Sequence, residues 1–259
     1  MYSLSGVRVS RAGRDILLLP ELTVPTDAFT VILGHNGSGK STLASLLCGL
    51  ARPDAGSVRL DGDEVSAVPE RARARRVAFL PQKLPASEGL TCRELVRLGR
   101  HPWRGLLGRW RPQDEAIIDA SLRMTGTERF AADWADELSG GERQRVWIAM
   151  LLAQAAPVMI LDEPTSALDV KHQYGVLALL ERLREEKGVG VITIIHDVNL
   201  ALRFATHVVA LKGGRLLFEG GAQLLRSEEN LERLFETPVR LVEHPDPLFR
   251  KSPVAVICA

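Results

Sequence analysis

Cysteine is scarce in this 259-residue chain: Cys48, Cys92 and Cys258 stand alone, at no paired spacing. Neither a zinc framework nor a disulfide framework follows, and a reducing compartment is expected. An excess of one charge is lacking as well. Lys and Arg number 33 against 32 Asp and Glu, a net charge of +1. Without a broad basic field, generic nucleic-acid binding is not expected. Long apolar runs are missing, and none approaches the ~18–20 residues that span a bilayer. Arg8, Arg11 and Arg14 precede a mere "ILLLP", too little for a secretory signal. A soluble cytosolic chain is expected, able to dock on a membrane protein. Repeats and low-complexity tracts are absent too. What the chain has is core: 46% of it is hydrophobic and 25% charged, ample for one large domain or a domain with a subdomain.

Residues 1–25 and 56–62 alternate apolar and polar residues between turn glycines, the pattern of short antiparallel strands. Four other apolar runs do not alternate: "FTVILG" (29–34), "VAFLP" (77–81), "VMIL" (158–161) and "VITII" (191–195). Strands of that kind are buried on both faces, as in a parallel sheet under helices. Helical patterns over 40–50, 114–126, 141–155 and 171–187 separate them, so the fold class is α/β. Residues 208–220 read as two strands around Gly213-Gly214, and residues 86–140 as helices around "GRHPWRGLLGRW". The end after 221 reads as short helices, then extended segments punctuated by proline.

Polar groups cluster just past the apolar runs, at the edge where open parallel sheets bind ligands. After the first run comes "GHNGSGKST" (34–42), a full G-x-x-x-x-G-K-[ST] pattern between a strand and a helix. Gly34 and Gly39 frame His35, Asn36, Gly37 and Ser38, so backbone N–H groups can wrap a phosphate. Lys40 is placed to reach the β- and γ-phosphates, Ser41 to ligate Mg²⁺, and Thr42 to lie near the α-phosphate. After "VMIL" come Asp162, suited to the Mg²⁺ shell, and Glu163, suited to act as general base on water. Gln82 ends a third run. His196 ends a fourth, and its imidazole N–H could donate to a γ-phosphate oxygen.

A second helix start resembles an anion site: "ELSGGERQR" (137–145). Ser139 and Glu142 form an S-x-x-E capping box ahead of the apolar "VWIAMLLAQAA". The box does not account for Gly140 and Gly141, since glycine inside a helix is unfavourable by about 1 kcal/mol. Two small residues imply that something approaches the N–H groups closely.

This ordered set resembles the nucleotide-binding subunit of ABC transporters over residues 2–245. "GHNGSGKST" matches the Walker A motif, Gln82 the Q-loop, "LSGGE" the signature and "VMILDE" the Walker B motif. "SALD" (166–169, ending in Asp169) matches the D-loop and His196 the H-loop. The resemblance implies one ABC ATPase domain over 1–245, a helical subdomain inserted near 86–156 and a tail over 246–259. It implies ATP and Mg²⁺ as ligands, the metal held by Ser41, Gln82 and Asp162. It also implies a head-to-tail homodimer, with ATP between Walker A of one copy and Ser139, Gly140, Gly141 and Glu142 of the other. The family's adenine-stacking aromatic falls near residue 11, where this chain has Arg11, whose guanidinium plane can stack on a base. Tyr2 lies too far upstream for that role.

Residues 80–110 are similar to ATPases of iron–siderophore, haem and cobalamin importers, with His101 where an aromatic is usual. The Pro-Trp and Gly-Arg-Trp elements, "LSGGERQRVWIAMLLAQ" and the ending "EHPDPLFRKSPVAVICA" are most similar to the iron(III)-hydroxamate (ferrichrome-type) ATPases. The partners implied are a second copy, a permease docking near Gln82 and residues 86–115, and, through the complex, a substrate-binding protein. The place implied is the cytoplasmic face of the cell membrane. A haem or cobalamin importer, or a single-cassette ATPase of iron–sulfur assembly, is the alternative.

Overall fold

The computed structural model describes residues 1–104, 108, 110–166, 168–244 and 253–258. In chain order the elements are β1 (Tyr2–Arg11), β2 (Arg14–Val24), β3 (Phe29–Leu33), α1 (Lys40–Leu47), β4 (Ala55–Leu60) and β5 (Asp63–Glu64). There follow α2 (Glu70–Ala74), β6 (Val77–Leu80), α3 (Cys92–Leu98), α4 (Pro112–Thr125), α5 (Gly140–Ala153), β7 (Val158–Asp162) and α6 (Val170–Lys187). The last are β8 (Gly190–Ile194), α7 (Val198–Phe204), β9 (His207–Lys212), β10 (Arg215–Gly221), α8 (Glu228–Phe235), β11 (Val239–Val242) and β12 (Val254–Ile257). They divide into two units, Met1–Ala67 with Gly190–Ala259, and Val68–Val189.

In the first unit eight strands lie in the order β5-β4-β1-β2-β10-β9-β3-β8. The alternating segments form its antiparallel part, with β1 between β2 and β4. Tyr2, Leu4, Val7 and Val9 of β1 face inward. Tyr2 is fully buried, and its hydroxyl donates to the Leu47 carbonyl at 3.0 Å, so it is a core residue. The non-alternating segments form the parallel part, with β3 between β8 and β9. Every residue of β3 and β8 is buried, as runs covered on both faces must be. β12 lies within 246–259 and pairs antiparallel with β11 in a separate ribbon. Asn199 of α7 holds that ribbon, accepting from Ala255 N at 2.7 Å and donating to Ala255 O at 3.3 Å. Residues 246–252 and 259 of the expected tail lie outside the described residues.

In the second unit β6 and β7 pair in parallel, Val77 opposite Val158 through Leu80 opposite Leu161. The expected helical stretch builds a core of its own, with Cys92, Leu95, Val96, Ile118, Leu122, Val146 and Leu151 buried. A buried ion pair crosses it: Arg100 Nε to Asp114 Oδ1 at 3.0 Å, with Arg100 Nη1 also donating to Ala153 O at 2.7 Å. One guanidinium thus joins the segment after α3 to the start of α4 and the end of α5. Trp103 and Trp110 are half-exposed, each faced by two guanidiniums: Arg75 and Arg100 over the first, Arg97 and Arg104 over the second. Residues 105–107 and 109 of "GRHPWRGLLGRW" lie outside the described residues.

Candidate nucleotide site

The carboxyl end of β3 runs into the glycine loop. Gly34 has φ +153°, and a Cβ there would stand 2.3 Å from the Leu211 carbonyl oxygen. Gly39 caps α1 with φ +95°, and its Cβ would stand 2.9 Å from Leu17 Cδ1 and 3.0 Å from Ile16 O. Only glycine meets both demands. Lys40 is buried, and its Nζ donates to the carbonyls of Gly34 at 2.8 Å and His35 at 2.9 Å. The loop closes around its own ammonium. His35 is set edge-on against Phe235 of α8, while Asn36 and Gly37 face solvent. Ser38 is buried, and its hydroxyl has no hydrogen-bond partner among the described residues. An orphaned buried polar group is unfavourable by about 1–3 kcal/mol. A phosphate in the loop would satisfy it together with the open N–H groups at the start of α1. The residues therefore fit a bound phosphate.

Register brings His196 to the same edge. Ile32 of β3 lies opposite Ile194 of β8, and Gly34 and His196 each follow two residues later. His196 is exposed. Asp197 then caps α7, accepting from the N–H groups of Asn199 at 2.7 Å and Leu200 at 3.2 Å, which turns the chain away just past the imidazole. Ser41 is exposed and Thr42 half-buried on the first turn of α1. Arg11 is exposed at the last position of β1, opposite Arg14.

The second unit carries the carboxylates. Asp162 is the buried last residue of β7. Glu163 leaves the strand with φ +49°, a left-handed conformation unfavourable for a residue with a side chain by about 1–2 kcal/mol. Its carbonyl accepts from Ser166 N and Ser166 Oγ, both at 3.2 Å, which holds the turn. Leu80 lies opposite Leu161, and Gln82 and Glu163 each follow two residues later. There Gln82 Nε2 donates to Glu163 Oε2 at 2.6 Å. The amide orients the carboxylate.

The start of α5 is a capping box in fact. Glu142 accepts from the Ser139 hydroxyl at 2.5 Å and from the Ser139 N–H at 3.3 Å. That hydroxyl holds the Glu142 carboxyl below the usual carboxylate range. The two glycines differ. Gly141 is buried, and a Cβ there would stand 2.6 Å from His172 Cδ2. At Gly140 the nearest atom would be Leu168 Cδ2 at 3.8 Å, ordinary contact. A side chain at Gly141 would thus meet His172, while the space beside Gly140 is open. Asp169 caps α6, accepting from His172 N at 2.9 Å and sharing a hydrogen bond with His172 Nδ1 at 2.8 Å. Ala167 of "SALD" lies outside the described residues. Farther along α5, Arg143 donates to Pro85 O at 3.3 Å, joining this helix to the loop after Gln82. Sequence reasoning overlooked His172, because a histidine one turn into a helix carries no motif.

The profile of the family described as ABC transporter matches residues 20–166. Over 238 residues the chain is 42% identical to the achromobactin transport ATP-binding protein CbrD of Dickeya dadantii, covering 92% of this chain and 88% of that one. Over 247 residues it is 38% identical to the iron(3+)-hydroxamate import ATP-binding protein FhuC of Bacillus subtilis, covering 95% and 92%. Its fold matches the ATP-binding cassette MJ0796, solved as a dimer in a post-hydrolysis state with ADP and Pi, at TM-score 0.75 and 30% identity, covering 86% and 99%. With a glycine loop closed on its lysine and an amide-held glutamate at a strand end, the chain belongs to the ABC transporter family and is an ATPase.

Proposed function

We propose that this ATPase drives import of an iron(III)-siderophore, of hydroxamate type, through a separate membrane permease at the cytoplasmic face of the cell membrane. The nucleotide role is carried by the buried, unpartnered Ser38 hydroxyl inside a loop that already encloses Lys40. The loop N–H groups of 34–39, Lys40 and Ser38 take the phosphates, Thr42 the α-phosphate end, and Arg11 stacks on the base. Ser41, Asp162 and the Gln82 carbonyl oxygen would hold Mg²⁺, which would spread the phosphate charge. Glu163 takes a proton from water as the water oxygen bonds to the γ-phosphorus. The bond to the β-phosphate oxygen breaks and ADP leaves, while His196 donates to a γ-phosphate oxygen.

The open face of Gly140 and the dimeric cassette MJ0796 support a head-to-tail pair, in which Ser139, Gly140, Gly141 and Glu142 of one copy meet the nucleotide of the other. Relatives named for achromobactin and for iron(3+)-hydroxamate support a siderophore as cargo, and the wording near 100–110 favours the hydroxamate kind. The permease is proposed to dock near Gln82 and residues 86–115, and a substrate-binding protein to join through it. Among the described residues no helix is long and apolar enough to cross a membrane.

Growth tests the cargo. Deleting the chain is expected to abolish growth on a ferric hydroxamate supplied as sole iron source. Undiminished growth there, with loss on a different ferric chelate, would reassign the cargo. Affinity purification from detergent-solubilised membranes is expected to recover an integral membrane protein, and recovery of soluble assembly proteins alone would overturn transport.

A further inference from the structure

Three observations in the second unit meet at one residue that no motif includes. His172 stands one turn into α6, and the Asp169 carboxylate holds it twice, through its backbone N–H at 2.9 Å and its ring Nδ1 at 2.8 Å. Two bonds to one oxygen fix where the ring points. The ring lies on the first turn of α5, so close to Gly141 that an added Cβ would sit 2.6 Å from Cδ2, 3.0 Å from Cγ and 3.3 Å from Nε2. Leu168, the residue before Asp169, is the nearest neighbour of Gly140. Side chains from Leu168 and His172 thus face the two successive glycines, and the imidazole leaves the less room. No Cβ intervenes, so the ring reads the backbone itself, whose N–H groups open toward a phosphate.

We propose that His172 is a positioning residue for ATP hydrolysis, locking Leu168 and Asp169 to the glycine turn of α5 so that this turn meets the partner's nucleotide in one fixed place. This rests on the head-to-tail dimer proposed above. His172 touches neither nucleotide nor water in this role. It sets the height of the Gly140–Gly141 backbone over the Asp169 loop. A shift of about 1 Å at such a turn is enough to lower turnover by about 10²-fold. Hydrolysis depends on the placement, whereas binding of ATP by the glycine loop of an isolated copy does not. The absence of a side chain at Gly141 follows as well: a methyl group would wedge the two elements apart.

The test is a double-mutant cycle on Gly141 and His172, read as kcat, KM for ATP, ATP affinity of the monomer and thermal midpoint. His172→Ala is expected to lower kcat about tenfold or more, with monomer affinity unchanged. His172 is partly exposed, so its truncation should leave the thermal midpoint near that of the parent. Gly141→Ala alone is expected to lower kcat at least as much. Adding it to His172→Ala should lower kcat no further, because the ring it displaces is gone. A full multiplicative loss in the double variant would mean that Gly141 acts without His172 and would overturn the proposal. So would a kcat for His172→Ala within twofold of the parent. The same substitutions in a Glu163→Gln background separate this outcome from the dimer reading. If Glu163→Gln with His172 intact forms no ATP-dependent dimer, the sandwich fails. If it dimerises, and Glu163→Gln with His172→Ala dimerises as tightly while His172→Ala alone keeps the kcat of the parent, only the lock fails.

Discussion

Ser38 shows how one atom can report an absent partner. Its hydroxyl is buried in a loop where Lys40 donates to two carbonyls and the Ser38 N–H donates to His35 O at 3.1 Å. Folding alone gains nothing from that hydroxyl. Ser38→Ala is therefore expected to leave the thermal midpoint unchanged or slightly raised. A hydrogen bond to a charged group is worth about 1.5–3 kcal/mol, so ATP affinity by calorimetry should weaken by about 10–100-fold. A matching fall in stability would place the partner inside the protein. Glu142 gives a second reading, in pH. Its carboxyl titrates below the ordinary range in the folded chain because the Ser139 hydroxyl donates to it. A depressed carboxylate stabilises the fold above its unfolded pKa, ~4.3 for glutamate, and that share is lost as pH falls through the lower folded value. The difference in thermal midpoint between parent and Glu142→Gln is expected to be full at pH 7 and to vanish toward pH 3.

Strands and helices carry predictions of another kind. Arg100 and Asp114 are both buried, and the guanidinium also serves the end of α5, so this pair organises the helical core. Removing one partner of a buried pair strands the other charge, typically at about 3–5 kcal/mol. Asp114→Ala is expected to be destabilised by that amount in urea unfolding followed by tryptophan fluorescence. Arg100→Met with Asp114→Ala should recover part of the loss, because no charge is then left stranded. The elements themselves were legible to different degrees. Non-alternating runs at 29–34, 77–81, 158–161 and 191–195 read directly as β3, β6, β7 and β8, since burial on both faces leaves a compositional trace. The β11–β12 ribbon left none. Four-residue strands separated by a proline-rich segment have no period long enough to see, and their pairing is long-range. The short helices α2 and α7, five and seven residues long, span too few turns to show an apolar face.

For the whole molecule the decisive question is assembly. Replacing Glu163 by glutamine keeps the shape of the side chain that Gln82 holds but removes the proposed base. Glu163→Gln is expected to bind ATP without turnover and to run as a dimer by light scattering only when Mg-ATP is present. A species that stays monomeric at saturating Mg-ATP would count against the pair. Much of the nucleotide site could be read from the chain alone, because its parts are contiguous: "GHNGSGKST", "VMILDEP" and "LSGGE" each place their groups through local backbone geometry. Strand ends were legible too, since polar residues after buried runs have one edge on which to gather. Contacts between distant residues were decided only by packing. Gln82 meets Glu163 across 81 residues because β6 and β7 share a register. Tyr2, too far upstream to stack on a base, is bound to Leu47 across 45 residues in the core. Packing likewise set His172 beside Gly141. A motif records which backbone a segment can adopt; which side chain then fills the space beside it depends on how helices and strands pack, and no local pattern encodes that.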